Sequence, residues 1–325
     1  MIIDSHAHLA PKSLIEATRA QRSAFPSVQV TETGDSIAFS FCGGKQTRPI
    51  SPGLHDIPAR LTWMDEQGID RQVVGGWLDM FGNELPVDEG TEWSRLINTA
   101  LWQASVDEPR LIPLAALPMQ DGAKAAEVLR EAHGIGFKGA MIGTQPKGVG
   151  GVLDDPALEP FWQAADELGT ILFIHPVFES GDARNVDYGM PNAVGRVTDT
   201  LIAISRMIYS GHVLRYANVK IVIGIGGAAL PFIAGRLRRN FSLHRDTLAD
   251  PDASLAQLYY DTLVHDPRIL RFVADMVGTE RIMMGSDKPF PIGDPSPMQV
   301  VAEAGFSSAE QQSINAGLAQ RLLGL

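Results

Sequence analysis

Two histidines one residue apart, His6 and His8, close an apolar N-terminal run, Met1-Ile2-Ile3-Asp4-Ser5-His6-Ala7-His8-Leu9. Side chains two apart on an extended strand share a face, so both imidazoles can reach one cation. Alone, His-x-His is an ordinary pair of polar residues. Groups of the same chemistry recur downstream, each at the close of another apolar run: His175 in Phe173-Ile174-His175-Pro176, and Asp287 in Met284-Gly285-Ser286-Asp287. Singly, His175 reads as a satisfied core histidine and Asp287 as a cap for the next turn. Together, three imidazoles and a carboxylate suit one borderline divalent cation, zinc first and manganese or another first-row metal second. With four protein ligands, a fifth position stays open to exchange.

The elements that must position these groups follow from the alternation of apolar runs with helical patterns. Strands are expected at Ile2–Leu9, Arg71–Trp77, Leu111–Leu117, Phe137–Gly143, Thr170–Pro176, Lys220–Gly226, Leu258–Leu263 and Arg281–Asp287. Helices are expected at Pro58–Gly68, Asp88–Asp107, Gly122–His133, Pro156–Leu168, Asn192–Ser210, Ala229–Phe241, Pro267–Val277, Pro297–Ala304 and Ser308–Leu323. Eight strands, most followed by a helix, predict an α/β chain of the (β/α)8 TIM-barrel class, with a doubly wound open sheet as the alternative. The stretch from about Lys12 to Pro58 interrupts the rhythm with short alternating pieces at Ser27–Thr31 and Ser36–Phe41. It reads as a small β-rich insertion in a single domain of 325 residues. In such a barrel the strands' C-terminal ends carry the active site, and His6, His8, His175 and Asp287 all fall there. The fourth strand offers no lysine at its C-terminal end, since Lys138 lies at its start. A carbamate bridge to a second metal is therefore not expected.

Composition narrows the partners. With 45% hydrophobic and 20% charged residues and a net charge of −11, the chain has no basic excess for nucleic acid. A small anionic substrate needs only a local arginine cluster. Cys42 is the single cysteine, which rules out an internal disulfide and suits a reducing compartment, so the cytoplasm is expected. No apolar run reaches the length of a membrane span, and the N-terminal segment lacks the basic start of a secretory signal.

The residues also carry a resemblance. Ile3-Asp4-Ser5-His6-Ala7-His8, Thr200-Leu201-Ile202-Ala203-Ile204, Gly226-Gly227-Ala228-Ala229-Leu230-Pro231, Asp261-Thr262-Leu263-Val264-His265-Asp266-Pro267 and Gly285-Ser286-Asp287-Lys288-Pro289-Phe290-Pro291 together resemble the amidohydrolase-related family of metal-dependent decarboxylases. The likeness covers nearly the whole chain. It implies that His6, His8, His175 and Asp287 are the ligands of a single metal. It also implies that Arg48 grips a substrate carboxylate and that Arg236 is delivered into a neighbouring subunit's site. Both arginine roles are physically apt, because a guanidinium pairs with a carboxylate in two-point fashion. A trans-acting Arg236 would make the active unit a homodimer. Read without the resemblance, Arg48 is a loop charge and Arg236 a solvated helix face.

Two positions depart from the family pattern. Relatives carry an acid/base histidine at the end of the sixth barrel strand, before Gly-Gly, where this chain has Ile225. Isoleucine can neither carry a proton nor accept a hydrogen bond. Relatives commonly follow the metal-binding aspartate with tyrosine, where this chain has Lys288. Three explanations stand open. Another group carries the proton, with Asp287, water on the metal and Lys288 as candidates. The chain is an altered or inactivated form of the enzyme. Or it binds a ligand without turnover. Lys288 also reads as an ion-pair partner for Asp287 on the barrel rim. His212, His244 and His265 fall away from strand ends, and His265 reads as a loop stabiliser.

The expected activity is metal-dependent, non-oxidative decarboxylation of a small aromatic, heteroaromatic or conjugated dienoic acid. The alternative is metal-dependent hydrolysis of an ester, lactone or amide. Trp77, Met80, Phe81 and Phe178 are candidates for an apolar substrate wall, or ordinary loop and core packing. The polar stretch from Glu179 to Pro191 reads as a lid or a surface loop, with Arg184 as a further anion contact.

Overall fold

The computed structural model describes residues 1–34, 36–177 and 181–325. β1 (Ile3–Leu9) is buried along its whole length. It leads into α1 (Lys12–Ala20) and an antiparallel hairpin, β2 (Val28–Thr33) and β3 (Ser36–Phe41). The expected β-rich stretch therefore begins with a helix. Its buried residues Leu14, Ile15 and Thr18 have helical spacing, a signal outweighed in sequence by the Gly- and Ser-rich stretch behind it.

The regular alternation then begins. α2 (Ile57–Gln67), β4 (Arg71–Gly76), α3 (Val87–Asp107) and β5 (Leu111–Pro113) are followed by α4 (Gly122–Ile135) and β6 (Gly139–Gly143). Next come α5 (Glu159–Glu167), β7 (Ile171–His175), α6 (Arg196–Tyr209), α7 (His212–Arg215), β8 (Lys220–Ile223) and α8 (Leu230–Leu243). α9 (Pro251–Leu255), β9 (Tyr259–Asp261), α10 (Pro267–Val277), β10 (Ile282–Met283), α11 (Pro297–Glu303), α12 (Ser308–Gln312) and α13 (Leu318–Leu323) complete the chain. Helix ends follow local chemistry. Asp56 accepts from the Ala59 amide to start α2, and Gly68, at φ 66°, takes the left-handed turn that ends it.

Hydrogen bonds order the parallel strands as β1-β4-β5 and β6-β7-β8-β9-β10. Bridges at Ala115–Ala140 and Ala7–Lys288 join the two ladders at both seams, which closes the barrel. The strands pass in order around it, as a (β/α)8 barrel requires. Inside, Ile3, Val73, Met141, Phe173, Val222 and Met283 form an apolar floor. A larger core fills the space between strands and helices. The expected strands at Leu111–Leu117 and Arg281–Asp287 are regular only over Leu111–Pro113 and Ile282–Met283. Beyond those points each chain drops to single bridges at the seams. Among the described residues, no helix is long and apolar enough to cross a membrane.

Candidate metal centre

β1, β7 and the segment after β10 bring His6, His8, His175 and Asp287 together at the C-terminal mouth of the barrel. All four are buried, and one potential ligand atom from each lies within 4.8 Å of the others. His6 packs on Phe173 from the floor, ring centroids 4.5 Å apart. His8 Nε2 is 3.1 Å and His6 Nε2 is 3.5 Å from Asp287 Oδ1. These three atoms are buried and have no well-formed hydrogen bond among the described residues. Converging polar atoms left in that state fit a cation.

The outer nitrogens explain the aim of the rings. His6 Nδ1 donates to Asp261 at 2.7 Å, His175 Nδ1 to the Pro176 carbonyl at 2.8 Å and His8 Nδ1 to the Gly76 carbonyl at 3.3 Å. A carbonyl or carboxylate only accepts, so Nδ1 carries the hydrogen and the Nε2 lone pair faces the cluster. Burial pushes His8 below the ordinary imidazole value. Burial and the charges of His8, His6 and Arg196 push His175 well below it. Burial acts in the same direction on His6, but the Asp261 hydrogen bond and the charges of Asp287, Asp261 and Asp4 outweigh it and raise His6. At Asp287 burial works to raise the carboxyl. The His8 contact and the charges of His6, His8 and Arg196 prevail and hold it below the usual carboxylate range.

A buried network locks the seam beneath. Asp4 accepts from Gln72 Nε2 at 2.7 Å and from the Ser286 amide at 2.9 Å, next to Asp287 of the cluster. Arg60 donates to Gln72 and to the His8 carbonyl. Burial lowers its guanidinium to about 10. Asp287 itself sits at φ 57°, one of the left-handed positions that Asp tolerates.

Arg48 lies on the loop after β3. Its guanidinium meets Asp79 at 2.9 Å and lies 5.7 Å from the Trp77 ring and 5.9 Å from the Phe290 ring. Phe290 in turn packs on His8, ring centroids 5.1 Å apart. Arg48, Asp79, Leu78, Gln145 and Val177 help line a cavity of about 340 Å³. Its far wall comes from the end of β3 and the following loop. The stretch after β1 thus supplies part of the pocket.

The other expected residues separate. Met80 and Phe81 are buried in the core, with the Phe81 ring beside Gly76 and Ile97, so they are packing rather than pocket wall. Trp77 is buried too, yet one face meets Arg48. Lys288 leaves the cluster. Its Nζ lies 4.4 Å from the centroid of the Trp63 ring on α2, and among the described residues no ion pair joins it to Asp287. The alternation of the chain across the seam sends neighbouring side chains to opposite sides. Arg236 is exposed on α8. Arg184 pairs with Asp182 at 2.6 Å on the surface. Phe178 and Glu179 lie outside the described residues. Ile225 is half-buried in a short turn after β8, at φ 57°.

Sequence reasoning assigned no role to Asp261, Phe290, Asp79, Asp199 or Arg196. Asp261 had a legible signal, an acidic residue closing an apolar run. Arg196 and Asp199 follow a long loop, and nothing in their spacing points to the barrel mouth.

The amidohydrolase family model matches residues 3–325. A 2-amino-3-carboxymuconate-6-semialdehyde decarboxylase from Dictyostelium discoideum is 29% identical over 332 residues, covering 99% of this chain and 91% of the relative. Among solved structures, 5-carboxyvanillate decarboxylase from Sphingomonas paucimobilis superposes with TM-score 0.81 at 24% identity, over 100% of this chain and 99% of that one. The 5-carboxyvanillate decarboxylase of Novosphingobium aromaticivorans, solved with manganese and 4-hydroxy-3-methoxy-5-nitrobenzoic acid, gives TM-score 0.81 at 20% identity. That match covers 100% and 96% of the two chains. These two likenesses show the fold.

Proposed function

Because the chain belongs to the amidohydrolase family, we propose that it is a metal-dependent, non-oxidative decarboxylase of a small aromatic, heteroaromatic or conjugated dienoic acid. The observation that carries this reading is the four-group cluster at the barrel mouth, with each histidine turned by a partner on its outer nitrogen. His6, His8, His175 and Asp287 would hold one divalent cation, with zinc the first choice and manganese the second. Such a cation acts as a Lewis acid toward a substrate oxygen.

The remaining steps belong to the chain. Arg48, braced by Asp79, pairs with the substrate carboxylate. Trp77 and Phe290 offer flat apolar faces to a planar acid beside His8. A proton is added to the carbon bearing the carboxylate. The bond to the carboxyl carbon then breaks, its electron pair restores conjugation, and carbon dioxide leaves. Ile225 supplies no proton and Lys288 is turned away, which leaves water, or Asp287 after it has itself taken up a proton from water, as the carrier.

The absence of a proton carrier at Ile225 favours a second reading, ligand binding with little or no turnover. Arg236 fits a trans role in a homodimer. It shares a face of α8 with Phe232, which is 80% exposed, so an apolar contact beside it would place Arg236 at a subunit boundary.

The test is metal content per chain, followed by carbon dioxide release from a panel of hydroxybenzoic, heteroaromatic and dienoic acids, with and without chelator. About one metal per chain and chelator-sensitive release support the decarboxylase. One metal, saturable binding and no product support the second reading. A protein that retains no metal after reconstitution sinks both.

A further inference from the structure

The barrel mouth holds more room than a one-ring acid fills. The cavity of about 340 Å³ that contains Arg48 falls within the range of pockets that bury drug-sized ligands, about 300–1,000 Å³. Among the described residues, its wall includes none of the four cluster residues. It stands beside the cluster rather than around it.

The strand ladder fixes where it lies. Gly143, the last residue of β6, is the parallel partner of His175 at the end of β7. Leu78, after β4, and Val177, after β7, both line the cavity and close over this bare strand end. A Cβ at Gly143 would stand 3.0 Å from Val177 Cγ1 and 3.7 Å from Leu78 Cδ2. The floor of the cavity is therefore one strand away from a histidine of the cluster. Phe41, at the end of β3, supplies another wall, and Val149, in the loop after β6, stands at the open edge with 65% of its surface exposed. Most of the wall is carbon. Exposed apolar side chains scattered singly are ordinary, but four from four separate segments around one hollow form a ligand surface.

Arg48 joins the cavity to the cluster. It lines the cavity together with Asp79, and its guanidinium lies 5.9 Å from the ring of Phe290, which packs on His8. An acid held at Arg48 has the cluster on one side and the apolar hollow on the other.

We propose that this cavity is a subsite for an apolar arm of the substrate, seated between Phe41, Leu78, Val149 and Val177. This rests on the reading of Arg48 as the anchor of the substrate carboxylate and adds the class of acid: one that carries an aryl or alkyl substituent beyond its reacting ring or diene. The arm takes no part in the bond changes. It contributes binding by leaving water for an apolar wall, so Val149 and Val177 determine specificity for acids that carry it and matter little for acids that do not.

The experiment is calorimetric titration of metal-loaded protein with benzoate and with biphenyl-3-carboxylate, for the unmodified chain, Val149→Asn and Val177→Thr. Thermal midpoint and metal content are checked for each. Position 149 is exposed and threonine nearly matches valine in shape, so both variants keep the fold. The unmodified chain should bind biphenyl-3-carboxylate at least about tenfold more tightly than benzoate, as for apolar groups entering an apolar pocket. Each variant sets a polar group against the arm and should cut that preference by about three- to tenfold, with benzoate changed by less than about twofold. No preference in the unmodified chain, a preference kept in full by either variant, or equal losses for both acids would overturn the proposal. The readout is binding, so the two readings fail separately. Selective binding without carbon dioxide release keeps the subsite and removes the decarboxylase, and release from one-ring acids with no preference for the arm does the reverse.

Discussion

The two sides of the barrel mouth differ in how completely they are furnished. On the side of β1, β7 and the segment after β10, each imidazole has its outer nitrogen held, and the segment carrying Asp287 is fixed through Ser286 and Asp4. On the side of β8, the turn from Gly224 to Ala228 is held just as firmly, because Asp261 accepts from the Gly226 amide at 2.7 Å while orienting His6. Yet the residue that turn presents, Ile225, has no proton chemistry. One carboxylate thus braces both halves, and only one half carries functional groups. The contrast teaches that one carboxylate can hold a turn firmly whether or not the turn carries a titratable group, because the same contacts keep the histidine cluster in place.

The largest effect is expected from breaking the complete half. His6→Ala removes an imidazole whose Nδ1 is held by Asp261 and whose Nε2 faces the cluster, and Asp287→Ala removes the cluster's carboxylate. Either should reduce bound metal per chain from about one to near zero after dialysis, since each deletes a quarter of the ligand set. Elemental analysis reads this directly. Full metal retention in both variants would mean that the cluster is not the metal site.

Restoring the other half is the next largest. Ile225→His places a titratable group on a turn already braced by Asp261. Histidine also accepts the left-handed backbone there more readily than a β-branched residue. General acid catalysis contributes about 10²–10⁴-fold, so carbon dioxide release should rise by about a hundredfold or more with metal content unchanged. An unchanged rate on every acid the unmodified protein accepts would show that position 225 does not face the reacting carbon.

A third variant tests whether the halves share one brace. Asp261→Asn keeps the shape but lets the amide present a hydrogen where an acceptor is needed. Loss of such an outer partner costs about 10–100-fold in metal affinity. The same substitution made in the Ile225→His background should also reduce the restored activity, after correction for metal occupancy. An Asp261→Asn effect on metal alone would separate the two halves.

How far the sequence carried these conclusions differs between the same regions. The barrel and the four-group cluster were legible because His-x-His, His175 and Asp287 each close an apolar run, and strand ends converge in a closed barrel. The position of Ile225 was legible only through the resemblance, since one isoleucine among apolar neighbours carries no signal of its own. Lys288 was misplaced because adjacency to Asp287 in sequence suggested adjacency of charge. The seam sends the lysine to Trp63 instead. Asp261 was quoted within a motif without a role, as its two functions, orienting His6 and holding Gly226, join residues far apart in sequence. Asp199 holds α6 to the loop after β6 through Gln145, a tertiary contact that no local pattern encodes.

The smallest effect concerns the backbone of the unfurnished turn. Ile225 is held at φ 57°, where a residue with a Cβ is disfavoured by about 1–2 kcal/mol. Replacing it by glycine or by alanine removes the same half-buried side chain, so the pair isolates the backbone contribution. At ordinary positions alanine is more stable than glycine by about 0.5–1 kcal/mol. Here the order should reverse, with Ile225→Gly more stable than Ile225→Ala by about 1 kcal/mol. For an m value of about 3 kcal/mol/M, that moves the urea midpoint by about 0.3 M. If alanine is the more stable, Asp261 is not holding the turn in a left-handed conformation. The claim that one carboxylate braces both halves would then reduce to its contact with His6.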